Sequence, residues 1–243
     1  MRGDSESEMK ARSGPAAPRG FSEGGPTGWR SRLTGHPALE PLLFVSLALL
    51  YIWLVRPTRS DLLKGPMLAV IVLIPFISVF LHRDALREMG LRVDNLIVSA
   101  RDVGLVTLLG AVIVLGIGLL AGARPRLHAG LLDDFLLYPL WGIVQQFAMQ
   151  AFTYRRLREG IGGVAASAIL TAFLFAAVHY PNLALALATA AGSYVWCRLF
   201  ERQPNLITLA LSHGWLAVLL RYSWPAAWLH NLRIGPGYWT WTP

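Results

Sequence analysis

The chain has 243 residues, of which 54% are apolar and 15% charged, against a usual charged share of about 25%; with a mean hydropathy of +0.47 this excludes an ordinary water-soluble globule. The net charge of +8 would suit a nucleic-acid binder in a soluble protein. In a membrane protein it is what Lys and Arg in cytoplasmic loops produce, so nucleic acid is set aside as a partner and the lipid bilayer taken as the surroundings.

Residues 1–36 hold 7 Gly, 3 Pro and 5 Ser without hydrophobic periodicity, the composition of a disordered tail. Their first apolar stretch comes too late for a secretory signal. Apolar runs follow at 38–55, 65–81, 103–123, 135–154, 161–179, 183–199 and 206–220, mostly near the ~20 residues that cross a ~30 Å hydrocarbon layer. Backbone amides in lipid must be satisfied internally, so each run is predicted as a helix. The expected architecture is all-α, a polytopic transmembrane bundle of about seven spans. Residues 37–130 form its amino-terminal helices, 131–220 its core, and 221–243 an interfacial tail rich in Trp.

Counting cations on alternate connectors places 15 Lys and Arg on the amino-terminal side and 7 on the other, which predicts a cytoplasmic amino terminus. Only Lys10 and Lys64 are lysine, a bias typical of GC-rich bacterial genomes, so the expected location is a bacterial cytoplasmic membrane. Trp224, Trp228, Tyr238, Trp239 and Trp241 are expected to form an aromatic belt on the far face. Ala184, Ala188 and Gly192 share one helix face, and Gly162, Ala166 and Leu170 a weaker one; such stripes let helices approach closely in lipid. Cys197, the single cysteine, excludes an internal disulfide and reads as packing.

Polar groups inside spans are costly, which makes them pointers to function. The fourth span carries Gln145, Gln146 and Gln150; Gln146 and Gln150 share a face at i, i+4, with Gln145 turned about 100° away. His179 closes the fifth span beside Tyr180, Pro181 and Asn182, and His213 lies in the middle of the seventh, where an imidazole needs a partner. The packing alternative stands beside each: the glutamines as hydrogen-bond glue between helices, His179 as a solvated helix end. Asp133 and Asp134 suit the start of the fourth helix electrostatically. They also lie on the side of His179, which leaves a carboxylate–histidine pairing open. A metal site is not expected, since catalytic zinc wants three protein ligands.

The stretch from Gly142 to His213 resembles the CPBP family of CAAX prenyl endopeptidases and bacteriocin-processing proteins, intramembrane proteases whose motifs read EExxxR, FxxxH and HxxxN. The second motif is present as Phe175-Ala176-Ala177-Val178-His179, continued by Tyr180-Pro181-Asn182. The third is half present as His213-Gly214-Trp215-Leu216-Ala217, and Glu88-Met89-Gly90-Leu91-Arg92 resembles a recurrent family element. The first reads Gln145-Gln146-Phe147-Ala148-Met149-Gln150, followed by the basic turn Arg155-Arg156-Leu157-Arg158. The resemblance implies His179, His213, Gln145, Gln146 and Gln150 at the catalytic positions, Phe175 and Asn182 beside the substrate, no cofactor, and a membrane-embedded or lipidated polypeptide as partner. A Gln amide cannot take a proton near neutral pH, and Ala217 removes an oxyanion donor. Two functional readings follow: an intramembrane endopeptidase of weak or lost activity, and a non-catalytic relative binding a hydrophobic or lipidated segment as a partner, immunity or regulatory protein.

Overall fold

The computed structural model describes residues 36–127 and 129–242; the tail expected over 1–36 lies, apart from His36, outside them. Helix α1 (Leu39–Leu50) runs into a π-helical turn (Tyr51–Val55). It is followed by α2 (Asp61–His82), α3 (Leu96–Leu120) and α4 (Leu131–Gln146), which continues through a π-helical segment (Phe147–Tyr154) into α5 (Arg155–Ile161). Helices α6 (Val164–Ala177), α7 (Leu183–Arg202), α8 (Leu206–Ser223) and the short α9 (Ala226–Leu229) complete the bundle, with 3-10 turns at His230–Leu232 and Gly235–Tyr238. No strand occurs among the described residues.

The protein is thus all-helical and an integral membrane protein. Four helices, α2, α3, α7 and α8, are long and apolar enough to cross a bilayer. Leu39–Val55 and Val164–Ala177 are shorter apolar helices, so a count of seven spans does not follow from length and composition. Local chemistry sets several boundaries. Arg83 ends α2 in the left-handed region at φ 57°, and Gly162 ends α5 at φ +82°, the conformation that glycine adopts most readily. Gly162 is therefore a helix cap and not part of a packing stripe on α6, which begins only at Val164. Asn182 and Asn205 cap α7 and α8, accepting 3.1 Å hydrogen bonds from the amides of Leu185 and Thr208. Each such cap contributes about 1 kcal/mol.

Helix α8 is the axis of the fold: 56% of its apolar window is buried, against 11% for α3 and 17% for α2. It lies against α4 on one side and α3 on the other. Two glycines permit the α4–α8 contact. A Cβ at Gly142 would sit 2.7 Å from the carbonyl oxygen of Ala210, and one at Gly214 would sit 2.6 Å from the nitrogen of Pro139. Helix α6 packs along α7, and the two pairs meet over a core of Met149, Tyr154, Trp196, Cys197, Phe200 and Leu209. Gly192, placed in a small-residue stripe by its spacing, has the ring of Trp196 3.1 Å from its Cβ position and so makes room for an indole of its own helix.

The basic turn after the π segment is buried in a network of charges. Arg156, 0% exposed, bonds Asp84, Glu159 and Ser78 and lies 3.5 Å from Glu40. Arg155, 3% exposed, reaches Asp84 at 3.0 Å and Glu88 at 3.2 Å, while Glu40 also holds His82 at 2.8 Å. Glu201 of α7 accepts from Tyr154 at 2.7 Å and from Arg158 at 3.3 Å. Burying charge is tolerable only when each ion is paired, so this network ties the start of α1, the end of α2, α5 and the end of α7 together. The connector between α2 and α3 is pinned beside it. Gly90, at φ +79°, accepts from the Leu206 amide at 2.9 Å, and Asn205 donates to the Arg92 carbonyl at 3.0 Å. The Arg92 guanidinium, bonded to Asp94, holds that carboxyl below its ordinary range.

At the opposite end the aromatic tail folds back on the bundle. The Asn182 side-chain amide donates to the carbonyls of Leu229 (2.6 Å) and Arg233 (3.2 Å), and the Gly235 amide donates to the Tyr180 carbonyl at 3.0 Å. Trp53 contacts the rings of Tyr180 and Trp239, and the Trp224 indole donates to the Val114 carbonyl at 2.9 Å. The aromatics expected as a flat belt thus include a packed cover over the α6–α7 turn. Asn182→Ala removes both the cap of α7 and the two ties to the tail. The expected result is a loss of about 1–3 kcal/mol, together with faster proteolysis between residues 225 and 241 in detergent. Unchanged cleavage of the tail would show that Asn182 does not hold it.

Candidate functional site

Gln146 is the last residue of α4 and Gln150 the fourth of the π segment; both are completely buried, whereas Gln145 is half-buried. The Gln146 side-chain nitrogen lies 3.3 Å from Nδ1 of His213. Gln150 lies near the Cys197 thiol, as do Thr171 and Ser193. The i, i+4 pair therefore shares a buried face but serves two neighbourhoods, one at α8 and one at α7.

His213 is held by aromatic rings: Trp196 stacks on it at 4.7 Å and Phe175 meets it edge-on at 6.0 Å. Phe175 also meets His179 at 4.8 Å, so one phenyl ring lies against both imidazoles. His179 is 9% exposed, which differs from a solvated helix end. The reason lies in the length of α6: 14 residues rise only about 21 Å, less than the ~30 Å hydrocarbon layer, and the carboxyl-terminal tail closes over the turn.

The hydrogen bonds assign complementary roles to the two rings. A backbone carbonyl can only accept, so Nδ1 of His179, 2.6 Å from the Phe175 carbonyl, carries the proton and Nε2 keeps a lone pair. With the Gln146 amide nitrogen as the donor to His213 Nδ1, the proton of that ring resides on Nε2. One histidine presents a basic nitrogen and the other an N–H donor. Gln146 Oε1 and both amide atoms of Gln150 are buried without hydrogen-bond partners.

Of the two carboxylates at the start of α4, Asp134 is engaged elsewhere. Asp134 accepts from the Tyr222 hydroxyl at 2.5 Å, and the contact of His179 is the Phe175 carbonyl. For Asp134, the pairing with His179 left open by the topology gives way to these two contacts. Asn182 is equally committed, with its oxygen capping α7 and its nitrogen bonding the tail. The third motif continues on α8 to Ala217, half-buried one turn beyond His213, and Trp215 sends its indole N–H to the Phe135 carbonyl at 3.2 Å.

Motif spacing does not reveal Trp196 or Ser212. The Trp196 indole donates to Ser212 Oγ at 3.1 Å, and Thr107 of α3 donates to the same oxygen at 2.7 Å. Ser212 thereby positions the ring that stacks on His213. The one signal in the sequence is the Gly192–Trp196 spacing, a small residue one turn before a large ring. Among the described residues no group of three or more His, Cys, Asp or Glu side chains is placed to hold a metal ion.

Residues 128–219 match the family model of type II CAAX prenyl endopeptidase Rce1-like proteins, a span that includes the three glutamines, both histidines, Phe175, Asn182 and Trp196. No curated protein and no solved structure matches the chain.

Proposed function

We propose, for a chain that over residues 128–219 belongs to the type II CAAX prenyl endopeptidase Rce1-like branch of the CPBP family, that its intramembrane site binds a membrane-embedded or lipidated polypeptide without the carboxylate-driven hydrolysis of its relatives. The observation that carries this reading is the contact of Gln146 with His213, at a position where the family motif has a carboxylate. An amide there orients the imidazole but cannot deprotonate water. Gln145 and Gln150 extend the same replacement, Phe175 lines the site against both histidines, and Asn182 holds its floor through the tail. In this reading the protein is a chaperone, immunity partner or regulator of such polypeptides.

One feature favours residual hydrolysis as a second reading. The lone pair on His179 Nε2 and the N–H on His213 Nε2 are a base and an oxyanion donor in kind. The two readings separate in a cleavage assay on membrane-anchored and farnesylated reporter peptides. Wild type, His179→Ala and the triple variant Gln145→Glu, Gln146→Glu, Gln150→Arg are compared. The expected outcome is binding without cleavage by wild type, and cleavage raised by about 10²-fold or more in the triple variant, the usual contribution of a general base. Wild-type turnover that His179→Ala abolishes would overturn the non-hydrolytic reading and establish the second. We assign the amino-terminal end of the bundle to the cytoplasm of a bacterial membrane on its excess of Lys and Arg. Labelling of cysteines introduced at Arg87 and Arg124 from either side of the membrane tests this: Arg87→Cys should react only from the cytoplasm, and the reverse would invert the topology.

A further inference from the structure

A groove of about 420 Å³ runs along the outside of the bundle between α3 and α8, lined also by Phe135 of α4. Its walls are apolar, formed by Ala100, Gly104 and Ala111 of α3 and Leu211, Trp215 and Leu219 of α8. Both helices have the length and composition of membrane spans, so the groove lies at hydrocarbon depth. From Ala100 to Ala111 it extends about 16 Å along the helix, the scale of one acyl chain. Small residues create it: beyond Gly104 there is open space, with nothing within 4 Å of a Cβ position.

Charge at the rim identifies the occupant. Leu108, which lines the groove, is seven residues after Arg101 and so within about 20° of it on the helix surface; Asp102 lies on the opposite face. Arg101 is exposed near the start of α3, and among the described residues it makes no hydrogen bond or ion pair. An arginine here extends along the helix to the headgroup level, and a basic residue beside a gap between spans suits a lipid phosphate. We propose that this groove is a binding site for an anionic phospholipid of the bilayer, one acyl chain lying between α3 and α8 and the phosphate on Arg101. Thr107 and Ser212, which bond each other, line it, and behind them Ser212 accepts from the Trp196 indole, so the lipid lies one hydrogen bond away from the ring that stacks on His213.

The test uses full-length protein in nanodiscs of equal phosphatidylglycerol and phosphatidylcholine, extracted, washed in detergent and assayed for retained lipid by mass spectrometry. Wild type should retain phosphatidylglycerol in preference to phosphatidylcholine. Gly104→Phe, whose Cβ has nothing within 4 Å of it and whose ring occupies the groove, should retain about tenfold less, whereas Gly116→Phe, with an equally open Cβ position but outside the groove, should match wild type. Arg101→Gln should abolish the headgroup preference. Equal retention by Gly104→Phe and wild type, or no preference in wild type, would overturn the proposal. So would a farnesylated peptide that binds wild type, fails to bind Gly104→Phe, and does so while phospholipid retention is unchanged. None of these outcomes depends on whether the histidine site hydrolyses anything.

Discussion

Arg156→Ala is expected to destabilise the folded protein by about 3–5 kcal/mol, the cost of removing one partner from a buried ionic group. The guanidinium is fully buried and bonds Asp84, Glu159 and the Ser78 hydroxyl, and its loss leaves Asp84, 4% exposed, with Arg155 as its remaining close cation. Glu40 loses its nearby cation as well and keeps only His82 and Ser78. Arg156→Lys retains the charge but not the planar fork that addresses two carboxylates and a hydroxyl at once, so it should fall between wild type and Arg156→Ala. Lys64→Ala is the control, because Lys64 pairs at 3.1 Å with an Asp61 side chain that is 92% exposed, and such pairs contribute little. Reversible unfolding in mixed micelles provides the measurement. A loss below about 1 kcal/mol for Arg156→Ala would mean that the network does not bear on stability.

Gly214→Ala should be nearly as damaging although it adds one methyl group. The new Cβ would sit 2.6 Å from the Pro139 nitrogen and 2.7 Å from its Cα, and neither atom belongs to a side chain that can turn away. Relief requires α4 and α8 to separate, at a cost of about 1–3 kcal/mol or more, and separation draws His213 away from Gln146. Gly116→Ala, made in open space on α3, should be neutral or stabilising by up to about 1 kcal/mol, since alanine favours a helix over glycine. The two variants are compared by folded yield after size-exclusion chromatography and by thermal unfolding. Indistinguishable behaviour would contradict the close α4–α8 approach.

Much of the architecture is legible in the sequence because lipid imposes a simple rule. Every apolar run must be helical, and helices occur at all seven runs, although only four have both the length and the composition of a span. Boundaries are less legible. Helix α3 starts at Leu96 and not near 103, because Arg101 and Asp102 sit on an exposed helix surface, where charges need not end a helix. The π segment from Phe147 to Tyr154 has no signature in residue type; it is a property of how α4 seats against its neighbours. The Trp-rich tail is readable as interfacial, but its fold over the α6–α7 turn rests on Asn182, a residue more than 40 positions away that the family resemblance associates with a substrate.

The sequence by itself determined the chemistry on offer: a membrane-bound helical chain with two histidines and three glutamines inside its apolar runs. Those are matters of composition and local order, which no packing can alter. The tertiary structure decided how that chemistry is arranged. It brought Gln146 to His213, gave His179 to a backbone carbonyl, paired Asp134 with Tyr222, and gathered Glu40, Asp84, Arg155 and Arg156 into one buried network. Apart from the His179 bond to the carbonyl one turn before it, these pairings join groups far apart in the sequence; the Gln146–His213 contact in particular needs the close approach of α4 and α8 that Gly142 and Gly214 permit, which no single stretch of sequence encodes.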